Sequence, residues 1–151
     1  MERLDLAIEL YRKGEYKKAY RLFIYEAQKE NSIAEYYIAL FFDYGVLNVF
    51  NKRKALRWYK RSAKHGYEKA QVILANSYFK GEGCIKSNKK AYYWMRESIK
   101  SHNPCYQYNF AKFYLNGWGW KVSKARAFYY YLKSANQGCE EAKIVVNSWV
   151  W

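Results

Sequence analysis

Four alanines return along this chain at a constant interval of 36 residues. They are Ala19, Ala55, Ala91 and Ala127, and no insertion or deletion falls between them. Further positions keep their chemical type at the same interval, which indicates a repeat protein whose function should lie on a surface. These recurring positions are Lys18, Lys54, Lys90 and Arg126; Trp58, Trp94 and Tyr130; Ile38, Leu74, Phe110 and Val146; and Gly45, Gly81 and Gly117.

Each unit contains two segments with the apolar periodicity of an α-helix. In the unit that begins at Lys54, small and apolar residues recur at i, i+3, i+4, i+7 and i+8 in both halves. Glycine follows each half, because glycine tolerates the left-handed conformation that a helix C-terminus needs. Helix A is predicted from Ala55, Trp58, Tyr59, Ser62 and Ala63 to about Gly66, and helix B from Ala70, Ile73, Leu74, Ser77 and Tyr78 to Gly81 and Gly83.

One helix pair is too small to bury its own apolar face, so successive pairs should stack. We predict an all-α fold: an α/α superhelix (solenoid) of about four 36-residue helix-turn-helix repeats with an extra N-terminal helix. The loop before Ala19 should be shorter than the three loops that follow Gly45, Gly81 and Gly117. The chain is predicted to form a single domain over residues 1–151, with the N-terminal helix in 1–17 and repeats at about 18–53, 54–89, 90–125 and 126–151.

The composition argues against a secreted or membrane-spanning protein. Charges occur throughout the N-terminal segment, unlike in a signal peptide, and no stretch approaches the ~18 apolar residues of a membrane span. The cysteines Cys84, Cys105 and Cys139 are odd in number and lack CxxC spacing. We therefore expect reduced thiols, no zinc site, no integral membrane segment and a cytoplasmic location.

The recurring residues resemble the Sel1-like repeats, a branch of the tetratricopeptide group. The pattern of that family is an alanine, an aromatic pair, small residues and a glycine, then a leucine, a small residue, a tyrosine and a Gly-x-Gly turn. The resemblance covers essentially the whole chain, although Glu30, Leu47 and His102 stand at family glycine positions and Tyr106 at an alanine position. It is carried most fully by Ala55, Trp58, Tyr59, Ala63, Gly66, Ala70, Leu74, Ala75, Tyr78, Gly81 and Gly83.

The resemblance implies an α/α superhelix that acts as an adaptor or scaffold for protein partners, although a fold does not fix a function. One branch of the family is cysteine-rich, secreted and linked to penicillin binding. This chain lacks the regular cysteine pairs within repeats of that branch. Its activity is therefore not carried over.

Little in the sequence supports an enzyme. His65 and His102 fall near the ends of A helices without a recurrent acidic partner, which favours a surface role over catalysis or metal ligation. The turns around Gly81 and Gly117 resemble fragments of a phosphate loop, but no strand precedes them and no GK[ST] occurs. Cys84 has no identifiable base beside it. We predict a non-catalytic protein with no metal and no cofactor.

The charge of the chain is uneven. Residues 1–43 hold seven basic and eight acidic residues, whereas residues 44–151 hold 20 basic and five acidic residues, a net charge of +15. Such a field accelerates encounter with acidic partners and is screened by salt. Nucleic acid, an acidic protein surface and anionic lipid all qualify as partners.

In solenoids of this family the A helices line the concave surface, so A-helix residues outside the packing stripe should form a groove. Aromatic residues are 21% of the chain, and aromatic anchors beside arginine are typical of tight protein interfaces. The positions after each repeat alanine predict a basic, aromatic groove. Its partner-binding residues are predicted to be Tyr20, Arg21, Arg57, Lys60, Lys64, Tyr92, Tyr93, Arg96, Phe128 and Tyr129.

The leading hypothesis is a protein-binding module whose groove holds an acidic partner, in the role of a bacterial immunity protein or a regulator of one toxin or enzyme. The alternative is a helical repeat protein that binds single-stranded nucleic acid, with tyrosines stacking on bases. A third, weaker hypothesis is a cell-envelope enzyme. The apolar segment from Val145 to Trp151 is expected to form a homodimer, to dock a partner or to fold back.

Overall fold

A computed structural model describes residues 2–151, which contain nine α-helices, two short 3₁₀ helices and no strand. The predicted all-α fold of helical hairpins is therefore confirmed. The 3₁₀ helices are Val46–Asn48 and Ile99–Ser101. The α-helices are α1 (Arg3–Arg12), α2 (Tyr16–Ala27), α3 (Ser32–Asp43), α4 (Lys52–Lys64), α5 (Glu68–Lys80), α6 (Asn88–Ser98), α7 (Pro104–Asn116), α8 (Lys124–Asn136) and α9 (Glu140–Asn147).

The loops have the predicted lengths. Residues 13–15 join α1 to α2, whereas the three loops after the B helices α3, α5 and α7 cover 44–51, 81–87 and 117–123. Each of these three long loops ends on a residue that closes it with two hydrogen bonds. The backbone N–H groups of Asn51, Ser87 and Ser123 donate to the carbonyls of Phe42, Tyr78 and Tyr114 at 2.8, 2.8 and 2.9 Å.

The same three residues are N-caps of the following A helices. Their side-chain oxygens satisfy backbone N–H groups that have no partner within the helix. The bonds join Asn51 Oδ1 to the Lys54 N–H at 2.9 Å, Ser87 Oγ to the Lys90 N–H at 3.2 Å, and Ser123 Oγ to the Arg126 N–H at 3.3 Å.

The helices form two compact units. The N-terminal unit runs up to Leu74 and includes Glu82–Cys84, and its core contains the fully buried Phe23, Ile38 and Phe41. The C-terminal unit comprises Ala75–Gly81 and the chain from Ile85 onwards. Its core contains an aromatic cluster whose members are Tyr92, Phe110, Phe113 and Tyr114.

The four repeat alanines are fully buried. A side chain limited to one methyl group lets neighbouring helices approach closely, and any larger group would overpack the contact. A second contact recurs near the end of the A helices. In the N-terminal unit, Ser62 Oγ donates to the carbonyl of Ser32 at 2.6 Å, and in the C-terminal unit Ser134 Oγ donates to the carbonyl of Pro104 at 2.6 Å.

Left-handed residues mark the turn between helix A and helix B. Gly66 and Gly138 occupy this turn with φ of +91° and +96°, whereas Glu30 and His102 hold φ of +60° at the same repeat position. A side chain in this conformation costs about 1–2 kcal/mol relative to glycine. Glu30 and His102, which replace the glycine of the family pattern, therefore keep the left-handed backbone conformation that glycine would favour.

We expect Glu30→Gly and His102→Gly each to raise the free energy of unfolding by about 0.5–1 kcal/mol. Relief of left-handed strain exceeds the extra backbone entropy that glycine gives to the unfolded chain. The control is Gly66→Ala, whose added methyl group would meet nothing within 4 Å and should destabilise by strain alone. Urea denaturation measures all three, and destabilisation by both glycine variants would contradict the prediction.

Buried phenols make the fold sensitive to alkali. Burial, followed by the hydrogen bond that the Tyr59 hydroxyl donates to Asp43 Oδ2 at 2.8 Å, raises the pKa of Tyr59 well above its usual value. Burial and the neighbouring Tyr108 raise the pKa of Tyr131 to about 12. Because folding raises these pKa values, their contribution to stability is complete below about pH 10 and is lost as the pH rises through the folded-state values.

We expect the free energy of unfolding to fall steeply between about pH 10 and 12, as measured by urea denaturation. Tyr131→Phe should reduce that slope by up to about 1.4 kcal/mol per pH unit, which corresponds to one proton. The same substitution should change the free energy of unfolding less at pH 8 than above pH 10, since within residues 2–151 no hydrogen bond involves the Tyr131 hydroxyl. If the free energy of unfolding fell equally steeply with pH above pH 10 in the wild type and in Tyr131→Phe, the role of Tyr131 would be contradicted.

Candidate partner-binding surface

Helix α4 presents a basic face on the N-terminal unit. Arg57, Lys60 and Lys64 follow one another at i, i+3 and i+7 and are all exposed. No carboxylate of residues 2–151 lies within 4 Å of these three cations. By contrast, Lys52 Nζ on the same helix lies 2.6 Å from Asp43 Oδ1. The basic face therefore carries charge that no internal ion pair compensates.

Tyr20 and Arg21 on α2 differ in accessibility. Arg21 is exposed, whereas Tyr20 is half-buried, with its ring edge-on to Phe41 at 5.0 Å between centroids. Burial raises the pKa of the Tyr20 phenol. Of these two residues, Arg21 is the more accessible to a partner.

The C-terminal unit exposes tyrosine together with arginine. Tyr93 is 46% exposed, and the guanidinium carbon of Arg96 lies 5.5 Å from its ring centroid, one helical turn further along α6. Arg96 Nη2 also lies 3.6 Å from Glu97 Oε1. Tyr129 on α8 stands at the same repeat position as Tyr93 and is 57% exposed. These large rings have solvated faces, which is how aromatic anchors are presented at interfaces.

Tyr92 departs from the expected groove, because it is buried. Its hydroxyl lies 2.9 Å from that of Tyr114, and its ring stacks on Trp120 at 5.6 Å between centroids. A partner cannot reach this ring while the C-terminal unit stays folded. Trp120, which covers it from the loop after α7, is 53% exposed. No periodic pattern marks a loop residue, so the sequence analysis missed Trp120.

Phe128 lies in an aromatic cluster near the end of the chain. Its ring centroid is 5.3 Å from that of Trp149 and 5.0 Å from that of Trp151. Trp151 is 71% exposed and Val150 is 81% exposed. The predicted contact residue Phe128 thus belongs to this cluster and is itself half-buried.

His65 has one acidic partner, Glu35, although the acid does not recur: Gln71 and Gln107 stand at the equivalent positions of the next two repeats. The carboxylate of Glu35 is fully buried, and its Oε2 lies 2.7 Å from Nδ1 of His65. Arg61 Nε donates to the other oxygen of Glu35 at 3.0 Å. Arg61 lies in the last turn of α4 and His65 directly follows that helix, and both side chains reach back to Glu35 in the first turn of α3.

An equivalent pair in the C-terminal unit shows that this arrangement is structural. Gln137 and Gln107 stand two repeats after His65 and Glu35, and Gln137 Nε2 donates to Gln107 Oε1 at 2.9 Å. A neutral amide pair has no acid-base function, so the position itself serves to join the end of helix A to the preceding helix B. In the N-terminal unit, the Glu35 carboxylate with Arg61 and His65 makes the same connection between the two helices.

Within residues 2–151, no group of three or more histidine, cysteine or acidic side chains is arranged to hold a metal ion. None of the described helices is long and apolar enough to cross a membrane.

The chain matches the family model described as Sel1 repeat over residues 32–67, 68–103 and 106–139. These units begin with helix B, whereas the predicted repeats begin with helix A. The first two keep the 36-residue period.

Solved structures with this fold are similar along most of the chain. A Sel1 repeat protein from Oxalobacter formigenes is 26% identical, with a TM-score of 0.79 over 84% of this chain and 96% of that protein. The uropathogenic Escherichia coli protective antigen c5321, described as having an SLR fold, is 21% identical, with a TM-score of 0.85 over 95% of this chain and 32% of its own. Helicobacter pylori cysteine rich protein B is 16% identical, with a TM-score of 0.65 over 85% and 92% of the two chains.

A comparison with curated proteins gave no significant match. Sel1 repeat proteins generally mediate protein-protein interactions, and their fold is typically a non-catalytic scaffold. With three matched repeats that together cover more than half of its residues, this chain belongs to the Sel1 repeat family within the tetratricopeptide-like superfamily.

Proposed function

We propose that this protein is a non-catalytic interaction module that binds an acidic protein partner through exposed basic and aromatic side chains of its A helices. The observation that carries the proposal is the basic face of α4, where Arg57, Lys60 and Lys64 have no internal ion partner. Tyr93 beside Arg96 supplies the aromatic part of the same chemistry on α6. Complementary charge accelerates association, and large aromatic anchors contribute most of the affinity.

We further propose that binding serves inhibition. The protein would act in the bacterial cytoplasm as an immunity protein or regulator that covers the functional surface of one toxin or enzyme. Its similarity to Sel1 repeat structures from bacteria supports a bacterial setting. A helical surface suits occlusion, because the backbone of a rigid element loses little conformational entropy on binding.

Affinity capture from bacterial lysate at low salt, with mass spectrometry, tests the proposal. The wild-type protein should capture an acidic protein, and Arg57→Glu combined with Lys60→Glu should weaken capture at least about 30-fold, as expected for central interface residues. Tyr93→Ala combined with Tyr129→Ala should have a similar effect. Recovery of no protein by the wild type at low salt would contradict the proposal.

A matched control variant separates the effect of the α4 face from the effect of the net charge of the protein. Lys17→Glu combined with Lys69→Glu changes the net charge as much as the α4 double variant and lies at exposed positions outside the predicted groove. We expect this control to retain capture at physiological salt. Equal loss of capture by the control and the α4 variant would show that net charge, rather than the α4 face, attracts the partner.

The exposed rings of Tyr93, Trp120 and Tyr129 favour one competing function, the binding of single-stranded nucleic acid. Titration with labelled single-stranded RNA and DNA at two salt concentrations distinguishes the two functions. Only an affinity that falls steeply with salt and is lost in Tyr93→Ala would support nucleic-acid binding.

The aromatic cluster of Phe128, Trp149 and Trp151, in which Trp151 is 71% exposed and the other two rings are half-buried, is proposed as the contact of a homodimer. Apolar surface of this kind is usually covered in an associated state. Sedimentation equilibrium should show a dimer that Trp151→Glu dissociates. A monomer at high concentration would remove this proposal without affecting the acidic partner.

A further inference from the structure

A cavity of about 270 Å³ opens on the C-terminal unit, and none of the residues assigned to the partner above lines it. Its walls are aromatic: the ring centroids of Phe79 and Trp118 lie 4.5 Å apart, and Phe113 meets Trp118 edge-on at 5.6 Å. Met95 forms part of the lining. The polarizable walls suit one planar side chain, since aromatic rings pack favourably against one another and against methionine sulfur.

The rim of this cavity consists of hydrogen-bond donors without a carboxylate. Asn76, Lys80, Asn109 and Lys112 complete the lining. Within residues 2–151, neither asparagine amide makes a hydrogen bond and Lys80 makes no ion pair. Lys112 Nζ lies 4.3 Å from the Tyr108 ring centroid. Two ammonium groups around an aromatic cavity would attract an aromatic group that is flanked by negative charge.

We propose that this cavity binds an aromatic side chain from an acidic segment of the protein partner. The aromatic ring would enter beside Phe79 and Trp118, and flanking carboxylates would meet Lys80 and Lys112. The asparagine amides can pair with the backbone of the segment, because each amide offers both a donor and an acceptor. This inference rests on the proposed function and assigns a second contact to the partner.

The residues that line this site differ from those assigned to the partner on the A helices. Most of its lining comes from the B helices α5 and α7, and Trp118 comes from the loop after α7. Charge selects the segment: the lining contributes two positive and no negative side chains. An equally apolar but basic segment would place like charges together, and a neutral segment would gain no ion pair with either lysine.

Proton-nitrogen NMR of the labelled protein tests the site, with the indole N–H of Trp118 as reporter and Trp118→Phe to assign its signal. The probes are three capped peptides: acetyl-Asp-Trp-Glu-amide, acetyl-Lys-Trp-Lys-amide and acetyl-Asp-Ala-Glu-amide. We expect the first to shift the Trp118 signal saturably and to bind at least tenfold more tightly than the other two. Equal binding of the lysine peptide, or of the alanine peptide, would overturn the proposal.

Charge reversal at the rim provides the second measurement. Lys80→Glu combined with Lys112→Glu should weaken the acidic peptide at least tenfold, while Lys89→Glu combined with Lys124→Glu, at exposed positions outside the lining, should leave its affinity unchanged. Circular dichroism confirms that both variants are folded. Unchanged affinity in the rim variant would overturn the site.

The peptide assay and partner capture fail independently. If the acidic peptide binds and no protein is captured, the proposed function fails while the cavity keeps its specificity for acidic aromatic segments. If protein capture depends on Arg57 and Lys60 but the acidic peptide leaves Trp118 unshifted, the cavity proposal fails and the proposed function stands.

Discussion

Gly119→Ala is expected to lower the free energy of unfolding by about 3–4 kcal/mol. Gly119 has φ of +79°, and a methyl group there would lie 2.3 Å from the carbonyl oxygen of Asn88 and 2.7 Å from Cβ of Tyr92. Left-handed strain contributes about 1–2 kcal/mol, and the overpacked contact contributes about 1–3 kcal/mol. The obstacle is backbone at the first turn of α6, so no side chain can move aside to relieve it.

Gly14→Ala is the matched control for this variant. Gly14 has φ of +78°, but an added methyl group would meet nothing within 4 Å. It should therefore cost only the strain, about 1–2 kcal/mol. Urea denaturation followed by circular dichroism measures both variants. Similar losses for the two glycines would mean that the loop after α7 moves away from α6 without a cost.

Arg61→Ala combined with His65→Ala is expected to destabilise the protein by about 3 kcal/mol. The two substitutions remove the hydrogen-bond donors of the Glu35 carboxylate, whose side chain is fully buried. In the wild-type protein the side chain of Arg61 is 50% exposed and that of His65 is 31% exposed. An uncompensated buried carboxylate costs about 3–5 kcal/mol, and we take the lower end because both partners are partly solvated. Urea denaturation at pH 7 measures the loss.

Glu35→Gln separates charge from shape at this position. Glutamine already stands at the equivalent positions Gln71 and Gln107, and both side chains are buried there. An amide oxygen can still accept from Arg61, so this variant should cost about 1 kcal/mol. In the background of the double alanine variant, Glu35→Gln should recover part of the stability. A further loss in that background would contradict the view that the stranded charge is the cause.

The sequence predicts the helices because their signals are local. The alanine column, the apolar spacing around Tyr59 and the glycines after each helix identify both helices of a unit, and the spacing from Gly45 to Ala55 predicts a long loop. Each of these signals depends on residues within one or two helical turns. The repeat then multiplies the evidence, so that the helices of the other repeats follow from one unit.

The side-chain contacts were harder to predict because they are not local. Tyr92 follows a repeat alanine directly, and this position predicts an exposed side chain, yet Tyr114 and Trp120 from α7 and its loop cover it. Helical periodicity describes one helix and carries no information on which neighbouring loop closes over its flank. The partner-binding role of the remaining exposed residues stays a prediction.

One signal could have revealed the hidden polar pairs. The bonds from His65 to Glu35 and from Gln137 to Gln107 each join residues separated by 30 positions. The same separation joins Ser62 to Ser32. In a chain with a fixed period, polar residues 30 positions apart at the end of helix A and the start of the preceding helix B predict such a contact.

The shared closure of the three long loops makes the chain modular. Asn51, Ser87 and Ser123 end their loops with the same pair of hydrogen bonds, so the backbone at one junction can replace that at another. A gene segment that encodes one interval between these residues could be duplicated or removed by a single recombination event while every new junction remained capped. Proteins of this type can thus acquire a longer or shorter array, and a new combination of exposed side chains, without inventing a turn.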